Sequence, residues 1–491
     1  MSTISVNNLT FAYDYSSDII FSDLTLNIDT NWKLGFVGRN GKGKTTFLNL
    51  LMGKYEYNGK ITADVHFEYF PYKIENIELN SYEISKKFID EYEEWKLERE
   101  ISLLDMDSKV LNQKFCTLSK GEQTKVLLAM MFLKENNYLL IDEPTNHLDT
   151  FARKSLANYL KKKKSFILVS HDRALLDEVA DHILAINRNN IVIEKGNFST
   201  WYENKLRQDN FELNENSKLK KEINRLEASA RQASAWSDKV EASKHHMTWD
   251  GPIDKGFIGH KAAKMMKRST LANNRKEKAI ADKSKLLKNI EVVEDLKLTL
   301  LPNRKGRMID IKDLSIKYGD NIIFDNVSFS VEDSDRVQLK GKNGCGKSSI
   351  IKLILGENIH YTGDVYMMNN LKMSYISQDT THLNGSLKKY IENNDIDEVL
   401  FKAILRKLDF DRDQFDKDLA SYSEGQKKKV LIAKSLCDNA NIYIWDEPLN
   451  YIDIFSRIQI ENLLLKYKPT MIFVEHDESF ADKVATKKVV L

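Results

Sequence analysis

The sequence is short of cysteine, of long apolar runs and of any leader pattern, and each shortage removes a class of protein. The three cysteines in 491 residues, Cys116, Cys345 and Cys437, stand far apart and lack paired metal-ligand spacing. Neither a disulfide framework nor a zinc site is therefore expected. The longest uninterrupted apolar run, VLLAMMFL at 126–133, falls far below the roughly 20 residues of a membrane span. The first residues, MSTISVNNLTFAY, have no basic segment followed by an apolar core, so no secretion signal is read and the cytosol is the expected compartment. Charge of one sign is also scarce overall, the net charge being +2. What is present, 42% hydrophobic and 30% charged residues in a chain too long for one core, predicts two or more globular domains.

The chain repeats itself. GRNGKGKTT at 38–46 returns as GKNGCGKSS at 341–349, LSKGEQ at 118 as YSEGQK at 422, YLLIDEPTNHLD at 138 as IYIWDEPLNYID at 442, and VSHD at 169 as VEHD at 474. The offsets of 303, 304, 304 and 305 residues keep order and spacing, which identifies a duplicated domain. The copies are placed at 1–203 and 304–491, with 204–303 between them.

Both first motifs fit G-x-x-x-x-G-K-[ST], follow an apolar strand (KLGFV, RVQL) and precede an apolar helix (FLNLLM, IIKLIL). That is the context of a phosphate-binding loop, in which backbone N–H groups and a helix N-terminus close around phosphate oxygens. The candidate nucleotide-binding residues are Gly38, Asn40, Gly41, Gly43, Lys44, Thr45 and Thr46, and Gly341, Asn343, Gly344, Gly346, Lys347, Ser348 and Ser349. Lys44 and Lys347 would reach the β- and γ-phosphates, and Thr45 and Ser348 would hold Mg²⁺. Four apolar residues before each acidic pair put Asp142 and Asp446 at the C-terminal ends of buried strands. These would bind the metal through water, and Glu143 and Glu447 would act as general bases on the attacking water.

LSKGEQ and YSEGQ resemble the signature sequence of ABC-type ATPases, and VSHD and VEHD their switch-histidine loop. The resemblance implies a head-to-tail sandwich with ATP between the phosphate loop of one copy and the signature of the other. Ser423 and Gly425 would complete the site of Lys44, Ser119 and Gly121 that of Lys347, and His171 and His476 would contact the γ-phosphate. In the same family an aromatic residue upstream of the loop stacks on adenine, which points to Tyr13 and Tyr318. The base-reading motif N-K-x-D of G proteins is absent, which favours ATP. The copies depart from the pattern unequally. SYISQ supplies a family-like Gln378, which would couple metal and water to the helical subdomain, whereas EYFPY puts Tyr72 at that place in the first copy.

Between the copies, Leu219, Ile223, Leu226, Ala230 and Ala233 step by four and three, and Ala272, Ala279, Leu286 and Val293 by seven. Two mutually packing helices are predicted, turned by WDGPIDKG, with arms of about 40 residues, roughly 60 Å long. From 255 to 288 there are 11 Lys or Arg and two acids, Glu277 and Asp282. A one-sided basic helix ending at an aromatic tip fits a phosphate-lined partner better than a solvated face of mixed sign.

A basic hairpin between two complete ABC ATPases resembles the ABC-F proteins, which bind the tRNA exit site of the ribosome and push their linker toward the peptidyl-transferase centre. The fold class is accordingly α/β, two ABC-type P-loop ATPase domains joined by a long antiparallel α-helical hairpin with its tip at about 244–260. The near-equal spacing from phosphate loop to signature in both copies leaves no room for the arm of housekeeping members. KYEYNGKI and EYFPY resemble the Lsa type, which protects against lincosamides, pleuromutilins and streptogramin A compounds. The partners so implied are the bacterial 70S ribosome, its 23S rRNA and P-site tRNA, for a monomer with ATP and Mg²⁺ and with neither membrane nor DNA. The candidate ribosome and drug-site contacts are Lys244, Trp249, Phe257, Lys261, Lys264, Lys267 and Arg268. Competing readings are a housekeeping ABC-F translation factor, an energising subunit of a transporter, and a DNA-repair ATPase. In the last, the coil interrupts one ATPase instead of joining two.

Overall fold

The apolar stretches flanking each phosphate loop fold as their pattern requires. KLGFV forms the strand Lys33–Val37, and after the loop comes the helix Lys44–Leu51; the second copy has Arg336–Lys340 and Lys347–Ile354 in the same roles. The structure is a computed structural model that describes residues 2–14, 19–89, 94–134, 137–146, 148–186, 191–243, 278, 295–301, 306–319 and 321–491, with only the backbone of 229–243 and 321.

In the first copy a six-stranded sheet runs His66–Phe70, Asn137–Asp142, Phe166–Val169, Lys33–Val37, His182–Ile186 and Ile191–Lys195, parallel except for the last strand. The second copy has five parallel strands in the matching order, Met373–Ile376, Ile442–Asp446, Met471–Val474, Arg336–Lys340 and Lys487–Val490. The central strands are buried almost throughout, Phe166–Val169 and Met471–Val474 at every position. This is the reading of a parallel sheet covered on both faces. Each copy adds a three-stranded antiparallel sheet and a helical part, Ser81–Phe88, Glu94–Leu103 and Lys120–Met131 in the first, Leu387–Asn393, Glu398–Lys407 and Glu424–Cys437 in the second. In an open parallel sheet ligands collect at the carboxyl ends of the strands. Both phosphate loops, both acidic pairs and both histidines leave their strands at that edge.

The chain divides into two compact units, Met1–Trp201 with Val293–Leu491, and Tyr202–Val292. Both copies of the repeat belong to the first. The connecting helix is Phe198–Ser243, so it begins before residue 204. Asn197 starts it, its side chain accepting from the Thr200 N–H at 3.1 Å, and Trp201 packs at 6.3 Å on Phe455 of the second copy. Beyond the linker, Leu296 and Leu298 are buried in the second copy's core with Leu405, Leu408 and Phe410. Trp201, just before 204–303, and Leu296 and Leu298, within it, thus pack with the unit that holds both copies. Within the second unit Ile223 is buried and Leu219 and Leu226 are half-buried, while Lys218, Lys220, Lys221, Glu222, Asn224 and Arg225 are exposed, as the helical period requires. The returning helix, the turn, and Lys244, Trp249, Phe257, Lys261, Lys264, Lys267 and Arg268 lie outside the described residues.

Candidate nucleotide sites

The first site is built on the loop after Lys33–Val37. Gly43 caps the helix Lys44–Leu51 at φ 93°, and a Cβ there would meet Ile20 Cγ2 at 2.7 Å, so only glycine serves. Lys44 is buried, and its Nζ donates to the Gly38 and Arg39 carbonyls at 2.7 and 3.1 Å and to Asn40 Oδ1 at 3.4 Å. These partners curl the lysine around its own loop, where phosphate oxygens would compete for it. Burial lowers its pKa, with the nearby carboxylates of Asp453, Glu143 and Asp142 working against that. In the second copy Gly346 has φ 97°, and Lys347 Nζ donates to the Gly341 and Lys342 carbonyls at 3.0 and 2.8 Å.

Thr45 Oγ1 donates to Asp142 Oδ2 at 3.0 Å, and Ser348 Oγ to Asp446 Oδ2 at 3.1 Å. Each site therefore offers one hydroxyl and one carboxylate at the mouth of its phosphate loop. Hard oxygen donors so few in number leave most of an octahedral shell to phosphate and water, so these residues fit Mg²⁺. Tyr13 OH shares a hydrogen bond with Thr46 Oγ1 at 2.8 Å, and Tyr318 OH donates to Ser349 Oγ at 3.3 Å. Their hydroxyls are tied to the phosphate-loop helices, yet the residues are 41% and 49% exposed. That leaves their rings available to a base.

Glu143 and Glu447 follow the strand-end aspartates with φ 50° and 47°, a conformation that costs a non-glycine residue about 1–2 kcal/mol. Their N–H groups donate to the Val169 and Val474 carbonyls at 2.9 and 3.0 Å, which holds the turn. Strain of this kind clusters at functional positions. The carboxylates themselves have different surroundings. Glu447 accepts from Gln378 Nε2 at 3.0 Å and Asn450 Nδ2 at 2.7 Å, and His476 Nε2 lies 3.3 Å from its other oxygen. Burial alone would raise its pKa, but His476, Lys347 and Lys428 outweigh burial and hold it below the ordinary value. Glu143 is pushed up to about 8, by burial first and then by Asp142, with Lys44 opposing. Its Oε1 is buried and accepts no hydrogen bond. His171 Nε2 stands 3.4 Å from it but is 3.0 Å from Asn40 Oδ1, and burial with the charge of Lys44 lowers the His171 pKa well below the usual value.

The copies meet at both sites. Asn40 Nδ2 donates to the Tyr451 carbonyl of the second copy at 3.0 Å, and Gly425 packs between them, since a Cβ would lie 2.5 Å from Tyr451 O and 3.4 Å from Asn40 Nδ2. Ser423 and Ser119 cap their signature helices, accepting from the Gln426 and Glu122 N–H groups. At the second site the Asn343 N–H donates to Asp149 Oδ2 at 3.4 Å. A cleft of about 720 Å³ there is lined by Tyr318, Lys347, Ser348, Gln378, Glu447 and His476 of one copy and Lys120, Asn146 and Leu148 of the other. Ser119 and Gly121 line the adjoining hollow together with Lys342 and Asn343.

A family model described as ABC transporter matches residues 21–146 and 324–450. ATP-binding protein Uup of Buchnera aphidicola subsp. Acyrthosiphon pisum is 30% identical, over 99% of this chain and 80% of its own. The chain belongs to the ABC-F family of tandem ABC ATPases. Ribosome protection protein VmlR of Bacillus subtilis is 26% identical, over 98% of this chain and 85% of its own. Energy-dependent translational throttle protein EttA of Escherichia coli O6:H1 is 25% identical, over 95% and 88%. This ABC-F protein is an ATP hydrolase with ATP-binding domains in both copies. Among its described residues no helix is long and apolar enough to cross a membrane.

Several residues of these sites escape motif reading. Tyr72, aligned with Gln378, is 40% exposed and meets Phe88 edge-on at 4.6 Å. The residue that reaches the site is Tyr69, whose OH donates to Asp142 Oδ2 at 2.9 Å. The signal available was the repeat itself, since Tyr375 stands at the same place in the second copy. Asn450 lies within EPLNYID and was readable as a polar residue three after Glu447. The Tyr451 carbonyl has no side-chain signal at all.

Proposed function

We propose that this ABC-F protein is a cytosolic, ribosome-associated ATPase that enters the tRNA exit site and protects the peptidyl-transferase centre from lincosamide, pleuromutilin and streptogramin A antibiotics. ATP with Mg²⁺ would close the copies at 1–203 and 304–491, with Glu143 and Glu447 as bases and His171 and His476 at the γ-phosphate. Closure would set the linker at 204–303 against 23S rRNA and P-site tRNA, one monomer per ribosome. Lys261, Lys264, Lys267 and Arg268 would neutralise phosphates. Lys244, Trp249 and Phe257 would act at the tip, where stacking contributes about 1–3 kcal/mol per base.

The observation that carries the reading is likeness to a ribosome protection protein over nearly the whole of both chains. The net charge of +2 is compatible with it because basic residues concentrate at 255–288. A housekeeping translation factor is the second reading, favoured by the likeness to a translational throttle protein. Expression in a susceptible host separates them. Protection shows as growth at inhibitory lincosamide or pleuromutilin concentrations, lost in Phe257→Ala or Trp249→Ala while co-sedimentation with ribosomes persists. Ribosome binding with no change in susceptibility would favour the second reading, and no ribosome binding would exclude both.

A further inference from the structure

We propose that Tyr69 is a positioning residue particular to the first nucleotide site, where its hydroxyl orients the Asp142 carboxylate toward the metal. The proposal rests on the reading that the Lys44 site takes ATP with Mg²⁺.

The geometry is specific. Asp142 Oδ2 accepts two hydrogen bonds, from Thr45 Oγ1 at 3.0 Å and from Tyr69 OH at 2.9 Å. Both donors sit on one oxygen, so the carboxylate is held from one side by two side chains. Tyr69 lies on the strand His66–Phe70, which pairs in parallel with Asn137–Asp142, Tyr69 opposite Leu140 and Phe70 opposite Ile141. Two rigid neighbouring strands therefore fix the distance between phenol and carboxylate. Lys54 Nζ lies 5.4 Å from the centre of the Tyr69 ring, which restrains the ring from its face. In this bond the phenol O–H is the donor and the carboxylate oxygen the acceptor.

The second site does this differently. Tyr375, the counterpart, donates no hydrogen bond to Asp446 among the described residues, and Asp446 Oδ2 accepts from Ser348 Oγ at 3.1 Å. Gln378 instead reaches the neighbouring Glu447 at 3.0 Å. In the first copy the residue at the glutamine's place, Tyr72, turns to Phe88. The first site thus places a second donor on its aspartate, whereas the second site places its amide on the glutamate.

The test uses full-length protein in two backgrounds that keep one binding site each. With Lys347→Ala removing the phosphate-loop lysine of the second site, Tyr69→Phe removes one oxygen and keeps the ring packing. The Mg²⁺ concentration for half-maximal binding of a fluorescent ATP analogue should rise about tenfold, the size of one lost hydrogen bond to a carboxylate. Binding in EDTA should not change, and the melting temperature serves as the folding check. In the Lys44→Ala background, Tyr375→Phe should leave the Mg²⁺ requirement of the second site as it was. An unchanged Mg²⁺ requirement in Tyr69→Phe, or an equal shift from Tyr375→Phe, overturns the proposal. Adding Lys44→Ala to the Lys347→Ala background tests the site separately: no further loss of analogue binding there would count against the site and not against the tyrosine.

Discussion

The two nucleotide sites carry the same motifs in the same order, yet the glutamates meant for the same chemistry stand in opposite electrostatic settings. Glu447 is surrounded by Gln378, Asn450 and His476 and keeps its charge. Glu143 has one oxygen without a hydrogen bond and is pushed up to about 8. A motif thus marks which group is proposed for the chemistry, and the residues packed around that group set its electrostatic surroundings. At neutral pH a carboxylate held below its ordinary pKa is ready to accept a proton, and one raised to about 8 is largely protonated. The second site is the better prepared of the two.

The largest effect should come from removing both bases. Glu143→Gln with Glu447→Gln should lower phosphate release by about 10²–10⁴-fold, the usual contribution of a general base, while ATP remains bound. Steady-state phosphate release and retention of labelled nucleotide measure the two. Turnover at the wild-type rate would show that the bases are misassigned. The single variants sharpen the comparison: Glu447→Gln should cost more than Glu143→Gln, and equal losses would break it.

The copies also differ in how they grip each other. Arg173, just past the first switch histidine, donates to Glu461 of the second copy at 2.6 Å, with both side chains buried at 7% and 5% exposure. The residue at the same place in the second copy is Glu478, which pairs with Lys340 of its own copy at 3.0 Å in solvent. Glu461 keeps Lys483 at 2.8 Å after that loss, so Arg173→Ala should cost about 1.5–3 kcal/mol, the range of a hydrogen bond to a charged group. Lys340→Ala should cost less than about 1 kcal/mol. Chemical denaturation followed by tryptophan fluorescence reads both. Similar small losses would mean that the grip between the copies does not depend on Arg173.

Much of this was legible in the sequence. The duplicated loops, the strand-end aspartates and the histidines are local signals, because a glycine pattern or an apolar tetrad before an acid constrains only its own neighbourhood. What was not legible depends on packing across long intervals. Tyr69 reads as a sheet residue until the adjacent strand brings Asp142 within 2.9 Å. Leu296 and Leu298 read as linker until the second copy's core covers them, and nothing in the sequence pairs Trp201, at the end of the first copy, with Phe455. The protonation of Glu143 depends on burial and on Asp142 and Lys44 together, which no motif records.

The smallest expected effect bears most directly on whether the sites differ by one residue or by a neighbourhood. Gln378 is the visible difference in sequence, and at the second site it supplies one of three groups around Glu447, beside Asn450 at 2.7 Å and His476 at 3.3 Å. Its loss leaves the other two in place. In the Glu143→Gln background, Gln378→Ala should therefore slow turnover about three- to tenfold, the range expected for one hydrogen bond to a charged group that still has other partners. The reciprocal change should do less. Tyr72→Gln in the Glu447→Gln background introduces the missing amide, but residue 72 is 40% exposed and its side chain turns to Phe88. The amide would replace a ring that now packs on Phe88, and Tyr69 would still hold Asp142. Turnover at the first site should change less than about twofold, a few tenths of a kcal/mol. If Tyr72→Gln instead accelerates the first site by as much as Gln378→Ala slows the second, the contrast reduces to that single position, and the surroundings of Glu143 would have to be read as its consequence.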